Sequence, residues 1–467
     1  MASQGIKGPP YRFIHGNTKE IAAMKDQANT RTFTDISHDI YPRIQPHFFT
    51  WFQLYGKNFL NWYGPQAELV ITEPEIIREI VSNRSVSLAR PDLGSYHKKM
   101  LGDGLVTSSG KKWASQRKLA NHAFNGESLK NMTPMMVASV DLMLLRWKEL
   151  VGSEVEVHEE FRMLTAEVIS RTAFGSSYLQ GKEIFEMLKK MSTIAGRNYY
   201  NPQAGLLSKI FKTRDDLKSD ELQNKIHNLI METIDERHKM MGDADDFLGQ
   251  LLMAKSNNQL SMQDIIDECK TFYVSGDGTT SLVLSWALLL LSIHTEWQER
   301  ARQEVFQIFG KESPRFEGLA NLKTIGMIIH ETLRLYPPGT AIIRKSQQEV
   351  KLGNLTVPAN IILHVPVLAI HHDRKIWGED AHLFKPERFS QGISEATKNS
   401  PWTYMPFGFG PRNCVGSNFA TNTAKITLAM ILQQYHFTPS PNYVHSPVHL
   451  MMLVPNNGVQ VTLHALK

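Results

Sequence analysis

Phe407-Gly408-Phe409-Gly410-Pro411-Arg412-Asn413-Cys414-Val415-Gly416 is the stretch on which the reading of this sequence turns. Gly408, Gly410 and Gly416 strip it of side-chain bulk, so a flat ligand can approach the backbone closely. Residues 415–435 read as a helix. That sets Cys414 at a helix N-terminus, where free N–H groups and the macrodipole favour a thiolate. Arg412, two residues earlier, offers a fork of donors shaped for a carboxylate. A thiolate, a carboxylate clamp and glycine clearance together fit a haem with an axial cysteine. A buried structural cysteine in a glycine-rich turn fits the same residues.

The rest of the composition narrows the classes. In 467 residues, 42% are hydrophobic and 21% charged, which gives material for a sizeable core and excludes global disorder. A net charge of +5 is too small to argue for nucleic acid. The only cysteines, Cys269 and Cys414, rule out a disulfide framework and any four-cysteine zinc or iron–sulfur site. The long apolar stretch from about 271 to 293 carries Asp277 and several hydroxyls, and reads as a buried helix rather than a membrane span.

Periodicity predicts a strand pair at 60–72 and then mostly helices from 73 to 335. Among these are 110–124, 137–150, 158–173, 220–241, 261–304 and 323–335. Short strands follow at 341–345, 350–352 and 356–362, then loops over 366–413, and a β-like end over 440–467. No linker divides the chain, so it reads as a single domain, 1–467, mainly α with a small β lobe. Other motifs fail. Gly408-Phe409-Gly410 lacks the third glycine of a dinucleotide fingerprint, and His330-Glu331-Thr332-Leu333-Arg334 lacks the second histidine of a zinc-protease helix. His371-His372-Asp373 reads as a loop with ordinary surface histidines.

Phe407, Gly410, Arg412, Cys414 and Gly416 together resemble the haem-binding signature of the cytochrome P450 family. Glu331-Thr332-Leu333-Arg334 resembles its Glu-x-x-Arg helix, and Pro386-Glu387-Arg388-Phe389 the loop whose arginine completes a Glu331–Arg334–Arg388 triad. Trp113-Ala114-Ser115-Gln116-Arg117 resembles the Trp-x-x-x-Arg of a helix flanking the haem. The resemblance spans residues 5–467. It implies the cytochrome P450 fold, haem b on Cys414, and propionate contacts from Trp113 and Arg117, with Arg344 joining them. Glu331 and Arg334 share a helix face, and a buried network with Arg388 would hold the cysteine loop in register. Trp113 and Arg117, one turn apart, can point at one acceptor.

In Ser275-Gly276-Asp277-Gly278-Thr279-Thr280, two glycines are expected to weaken the long helix and open it locally. Thr279 matches the family threonine that passes protons during dioxygen activation. The residue before it, usually acidic, is Gly278, so proton delivery falls to Asp277 through water or to solvent. The resemblance implies a monooxygenase acting on a lipophilic small molecule, with electrons from NADPH–cytochrome P450 reductase. Lys111, Lys112, Arg117 and Lys118 are the expected steering charges. By the same analogy the pocket walls are Leu101, Leu105, Val106, Phe272, Ser275, Ala341, Ile342, Leu450, Met451 and Met452. A haem-thiolate isomerase or dehydratase, or a haem-binding sensor, are the other readings.

The segment from Gln4 to Arg12 is similar to plant microsomal members of the clan of secologanin synthase and the brassinosteroid-inactivating hydroxylases. This implies terpenoid or steroid-type substrates, the cytoplasmic face of the endoplasmic reticulum, and an N-terminal anchor absent from this sequence. Asn198-Tyr199-Tyr200 and Leu206-Leu207 are expected to touch the membrane surface.

Overall fold

The computed structural model describes residues 1–30, 36–83, 87–198, 212–239 and 246–466. Tyr199, Tyr200, Leu206 and Leu207 lie outside the described residues. The longer helices are α1 (Thr18–Asn29), α2 (Pro46–Tyr55), α3 (Pro74–Ser82), α4 (Ser95–Leu101), α5 (Gly110–Ala123), α6 (Gly126–Trp147) and α7 (Val157–Phe174). They continue with α8 (Tyr178–Arg197), α9 (Arg214–Lys239), α10 (Phe247–Ser256), α11 (Met262–Ile293), α12 (Thr295–Phe309), α13 (Lys323–Leu335) and α14 (Ser417–Gln434). The apolar faces of these helices make the main core, with α11 running through it and Leu282–Leu291 all but inaccessible.

Helix α11 starts at a capping box in which Ser261 and Asp264 satisfy each other's backbone N–H groups. It is long and apolar enough to cross a membrane, but most of it is buried inside the protein. The single helix expected over 261–304 is two. His294 leaves the helical region (ψ 72°), and Gln298 Nε2 donates to the freed Leu291 carbonyl at 3.0 Å. Nor do the two glycines open α11, which is unbroken from Met262 to Ile293. Gly276 instead makes room for α7, because a Cβ there would stand 2.6 Å from Ile169 Cγ1.

The strands are β1 (Asn58–Tyr63), β2 (Gln66–Ile71), β3 (Leu88–Ala89), β4 (Glu154–Glu156), β5 (Ile342–Ser346), β6 (Val350–Leu352) and β7 (Leu355–Val357). After them come β8 (Ile362–Val365), β9 (Tyr435–Pro439), β10 (Pro447–His449), β11 (Leu453–Pro455) and β12 (Gln460–Ala465). One sheet has the order β1-β2-β8-β5-β3, in which β2 and β8 are parallel and the other pairs antiparallel. A second has the order β4-β12-β9, and β6–β7 and β10–β11 are hairpin pairs. The strand expected over 356–362 is divided between β7 and β8: Pro358 cannot donate to a ladder, and Asn360 takes a left-handed φ of 65°.

Candidate active site

Glu331 and Arg334, one turn apart on α13, are both fully buried. Arg334 Nε donates to Glu331 Oε2 at 2.8 Å and Nη2 to Oε1 at 2.7 Å. Nη1 donates to the carbonyls of His371 and Ala381, and Nη2 also to that of Leu383. All five guanidinium N–H groups are therefore spent, which lets the charge stay away from water. Arg388 joins more loosely. Its Nε lies 3.4 Å from Glu331 Oε1, while its terminal nitrogens serve the Trp377 and Asp380 carbonyls and the Asp380 carboxylate.

His371 is not on the surface as expected; it is fully buried. Its carbonyl receives Arg334, and its Nε2 accepts the Met405 N–H at 3.1 Å. Burial, reinforced by the Arg334 charge, pushes its imidazole down to about 3, so the ring is neutral and can accept. Met405 stands two residues before Phe407, whose carbonyl accepts the Cys414 N–H at 2.7 Å. A line of bonds thus runs from α13 through His371 to the cysteine loop.

Cys414 is not in the first turn of a helix. Helix α14 begins at Ser417, after Gly416, and the dipole's influence fades over that distance. The residue is exposed on its open side, while protein packed round the rest of the sulfur pushes the thiol up from its ordinary value. The Gly416 N–H and the Arg117 charge pull the other way and are the smaller effects. The side chain is therefore a thiol that ionises on meeting a metal. The room expected at Gly410 is needed by protein: φ is 71°, and a Cβ would stand 2.2 Å from the Val81 carbonyl oxygen at the end of α3.

Among the described residues Trp113 and Arg117 have no common acceptor. Arg117 Nη2 donates to Asn413 Oδ1 at 2.8 Å, Nη1 to the Asn413 carbonyl, and Nε to Asn121, so it grips the loop beside Cys414. Trp113 lies instead under Arg412, whose guanidinium carbon is 4.3 Å from the ring centroid. Arg412 Nη1 donates to the Ser108 carbonyl and Arg344 Nη1 to that of Ile343. Arg90, which the sequence reading missed, joins this group. Its Nε is buried with no hydrogen-bond partner among the described residues. Burial and the Arg90 and Arg412 charges push Arg344 down to about 10, and burial with Arg90 and Arg117 does the same to Arg412.

Among the described residues no carboxylate pairs with Arg90, Arg344 or Arg412. Three like charges gathered without a counter-charge cost stability unless an anion joins them. A haem fits what is present: a thiol open on one side, and an arginine cluster with an orphaned buried N–H, suited to two propionates. Among the described residues no three His, Cys, Asp or Glu side chains gather as a metal site. A metal on Cys414 therefore needs a group that brings its own donors, as a porphyrin does.

On α11, Ser275, Gly278 and Thr279 are partly accessible and, at i, i+3 and i+4, share one face. Thr279 Oγ1 donates to the Ser275 carbonyl at 2.8 Å. Asp277, two residues and so about 200° away, faces α7. Its Oδ1 accepts from Thr165 Oγ1 at 3.1 Å, and its Oδ2 lies 3.5 Å from an Arg162 nitrogen. The structure therefore does not bring Asp277 and Thr279 together. The space beside Gly278 is filled by Met452, whose Cε would be 2.8 Å from a Cβ there.

Burial raises the Asp277 carboxyl from 3.8 to about 6, against the smaller opposing effects of Arg162 and Thr165. A folded-state value above the unfolded one means that the native protein binds the extra proton. The associated stability is full below about pH 4 and is lost as pH rises through about 6. Asp277→Asn, which mimics the protonated form, is expected to gain about 1–3 kcal/mol at pH 8, with the gap narrowing towards pH 5. Urea unfolding at the two pH values checks this; a variant less stable than wild type at pH 8 contradicts it.

The sequence model of the family "Cytochrome P450" matches residues 39–463. The chain is a cytochrome P450. It is 52% identical to cytochrome P450 CYP749A22 of Panax ginseng, over 99% of this chain and 90% of that one. It is 40% identical to the 11-oxo-beta-amyrin 30-oxidase of Medicago truncatula and 39% to the cytokinin hydroxylase of Arabidopsis thaliana, each over 100% of this chain and 92% of the relative. This P450 is thus a plant-type monooxygenase of a family that binds haem b.

The pocket walls expected of the P450 differ in exposure. Phe272 is core: its ring stacks on Phe124 at 5.5 Å and packs on Phe247 at 4.1 Å. Leu101 and Leu105 are buried, and Val106 is half-buried. Ile342 leans on the sheet core. Leu450 is exposed and abuts Gly196 of α8. Ser275, Ala341, Met451 and Met452 are partly accessible, as Val106 and Ile342 are. Of the expected steering charges, Lys112 is paired with Asp103 and Asp264 and Arg117 is committed to Asn413, leaving Lys111 and Lys118 exposed.

Proposed function

We propose that this P450, a single catalytic domain at the endoplasmic reticulum membrane, oxidises a lipophilic terpenoid or steroid-type molecule. Dioxygen is the oxidant, and NADPH–cytochrome P450 reductase, docking on the Lys111–Lys118 side, supplies the electrons. The observation that carries the reading is the uncompensated Arg90–Arg344–Arg412 cluster, of which Arg412 stands two residues before Cys414 in the chain. In it Cys414 is the iron ligand, Phe407 and Gly416 frame the loop, and Trp113 steadies Arg412. Arg90, Arg344 and Arg412 hold the propionates. Arg117 positions the loop through Asn413, and Glu331, Arg334 and Arg388 keep that loop in register. Thr279 moves a proton at Oγ1 on the open face of α11, and Asp277 fastens that helix to α7.

When bound, the haem supplies the one-electron and dioxygen chemistry that attacks an unactivated C–H bond. The protein supplies position, charge balance and exclusion of water. The relatives that act on 11-oxo-beta-amyrin and cytokinin support the breadth of this substrate class, without choosing within it. The test mixes holoenzyme, reductase and NADPH with a terpenoid and steroid panel under isotopically labelled dioxygen. One labelled oxygen atom in a product, and none without NADPH, is expected. Turnover without NADPH would point to an isomerase or dehydratase, and tight binding with no turnover to a sensor.

A further inference from the structure

A cavity of about 150 Å³ lies between α2, the sheet edge and the turn joining β10 to β11. Its lining includes Gln45, His47, His364, His449, Ala341 and Met451. His47 is 1% exposed, and neither of its ring nitrogens has a hydrogen-bond partner among the described residues. Gln45 Oε1 and His364 Nε2 are likewise buried and unpartnered there. His364 Nδ1 is held by Glu68 at 2.8 Å, which fixes the ring and leaves Nε2 as the free end. His449 Nε2 is 2.9 Å from Thr340 Oγ1. Four unsatisfied polar atoms around one small space are unusual in a folded protein, where nearly all such atoms are paired.

The chemistry of the lining selects the group that would pair them. No lysine, arginine, aspartate or glutamate is among the lining residues; Lys25, outside the lining, acts on His47 and His449, but burial pushes it down to about 8, so it is a weak counter-charge for an ionised ligand. Burial holds His47 well below its ordinary value and pushes His449 down to about 3, so both rings are neutral, each with one donor and one acceptor. A hydroxyl, which donates once and accepts twice, matches such a set. A carboxylate would have only the weakened Lys25, outside the lining, to answer its charge, and a hydrocarbon leaves every polar atom orphaned.

The cavity is joined to the Thr279 face of α11 through the turn after β10. Ala341 and Met451 line it, and the next residue, Met452, packs on Gly278 beside Thr279. Leu453 anchors this turn: its N–H donates to the Pro338 carbonyl at 3.1 Å, and its carbonyl accepts from Trp286 Nε1 at 3.3 Å. At about 150 Å³ the space admits one end of a terpenoid-sized molecule and not the whole.

We propose that this cavity receives a hydroxyl group of the substrate, on Gln45, His47 and His364, so that the enzyme takes an alcohol-bearing lipophile and oxidises it away from that hydroxyl. This rests on the monooxygenase reading above. The test titrates the holoenzyme calorimetrically with matched pairs: menthol and p-menthane, a 3-hydroxysteroid and its 3-deoxy form, and a 3-hydroxy pentacyclic triterpene and its 3-deoxy form. For at least one skeleton the alcohol is expected to bind about tenfold tighter. That preference is expected to fall to about twofold or less in His47→Phe while the hydrocarbon's affinity holds. Gln45→Leu, which removes an acceptor without touching the aromatic packing of α2, is the second variant should His47→Phe fold poorly. A preference that survives both variants overturns the proposal and leaves a water pocket. So does the absence of any alcohol preference, including failure of all pairs to bind. A wild-type protein without the reduced carbon monoxide band of a thiolate-bound haem would instead overturn the monooxygenase reading. With the band intact, only the hydroxyl site is at stake.

Discussion

Cys414→Ala is expected to abolish the reduced carbon monoxide band near 450 nm that gives the family its name, and all NADPH-dependent turnover with it. On the proposed reading, one sulfur would carry the charge donated to the iron, and no second ligand stands ready among the described residues. The other cysteine, Cys269, is buried in the main core, and no cluster of metal-binding side chains exists among the described residues. The same substitution should scarcely touch the protein without cofactor. Cys414 is exposed on one side, loses a single sulfur atom in the substitution, and sits in a loop held by backbone bonds such as Cys414 N–H to the Phe407 carbonyl. Urea unfolding of the haem-free variant is therefore expected within about 0.5 kcal/mol of wild type. A variant that keeps the band would show that some other group ligates the metal.

Arg334→Ala should give the largest loss of stability. It leaves Glu331 buried with only the Lys385 N–H and the looser Arg388 contact to answer its charge. It also orphans the carbonyls of His371, Ala381 and Leu383 at once. Breaking a buried pair costs about 3–5 kcal/mol, and the stranded carbonyls add to that, against a total stability of about 5–15 kcal/mol. Little soluble holoprotein is expected. Arg334→Lys should be nearly as harmful, since an ammonium has three donors for the five that are spent. Removing both charges, with Glu331→Leu and Arg334→Leu together, is expected to recover part of the loss. If the double variant is no better than the single one, the cost lies in the carbonyls rather than in the unpaired carboxylate.

The parts of this site that a sequence discloses are those in which a few adjacent residues suffice. The cysteine loop and the Glu331–Arg334 turn are such parts, because their chemistry depends on spacing along one helix or one loop. The long helix was legible for the same reason, since apolar residues crowd one stretch. What stayed hidden depends on distant segments meeting. Arg90, in ordinary polar surroundings in the sequence, matters because folding sets it among Arg344 and Arg412. His371 looked like a loop histidine, and only tertiary packing turns its ring toward the Met405 N–H. His47 and His364, 317 positions apart by their numbers, line one cavity through the meeting of α2 with the sheet. Periodicity also misled at His294, because the apolar pattern runs on from α11 into α12 across a single non-helical residue. The helix start at Ser417 was missed by two residues, and that small slip moved the cysteine out of the dipole's strongest field.

The spent N–H groups of Arg334 have a consequence for assembly. Because the guanidinium fixes three carbonyls and His371 passes that order on to Met405, bonds within the polypeptide itself hold the approach to the loop around Cys414. The conformational entropy of arranging it belongs to the folding of the polypeptide and is not subtracted from the affinity for haem. An apoprotein that has shed its haem is therefore expected to take it up again without unfolding, and failure to regain the haem absorption would show that the loop needs its cofactor to form.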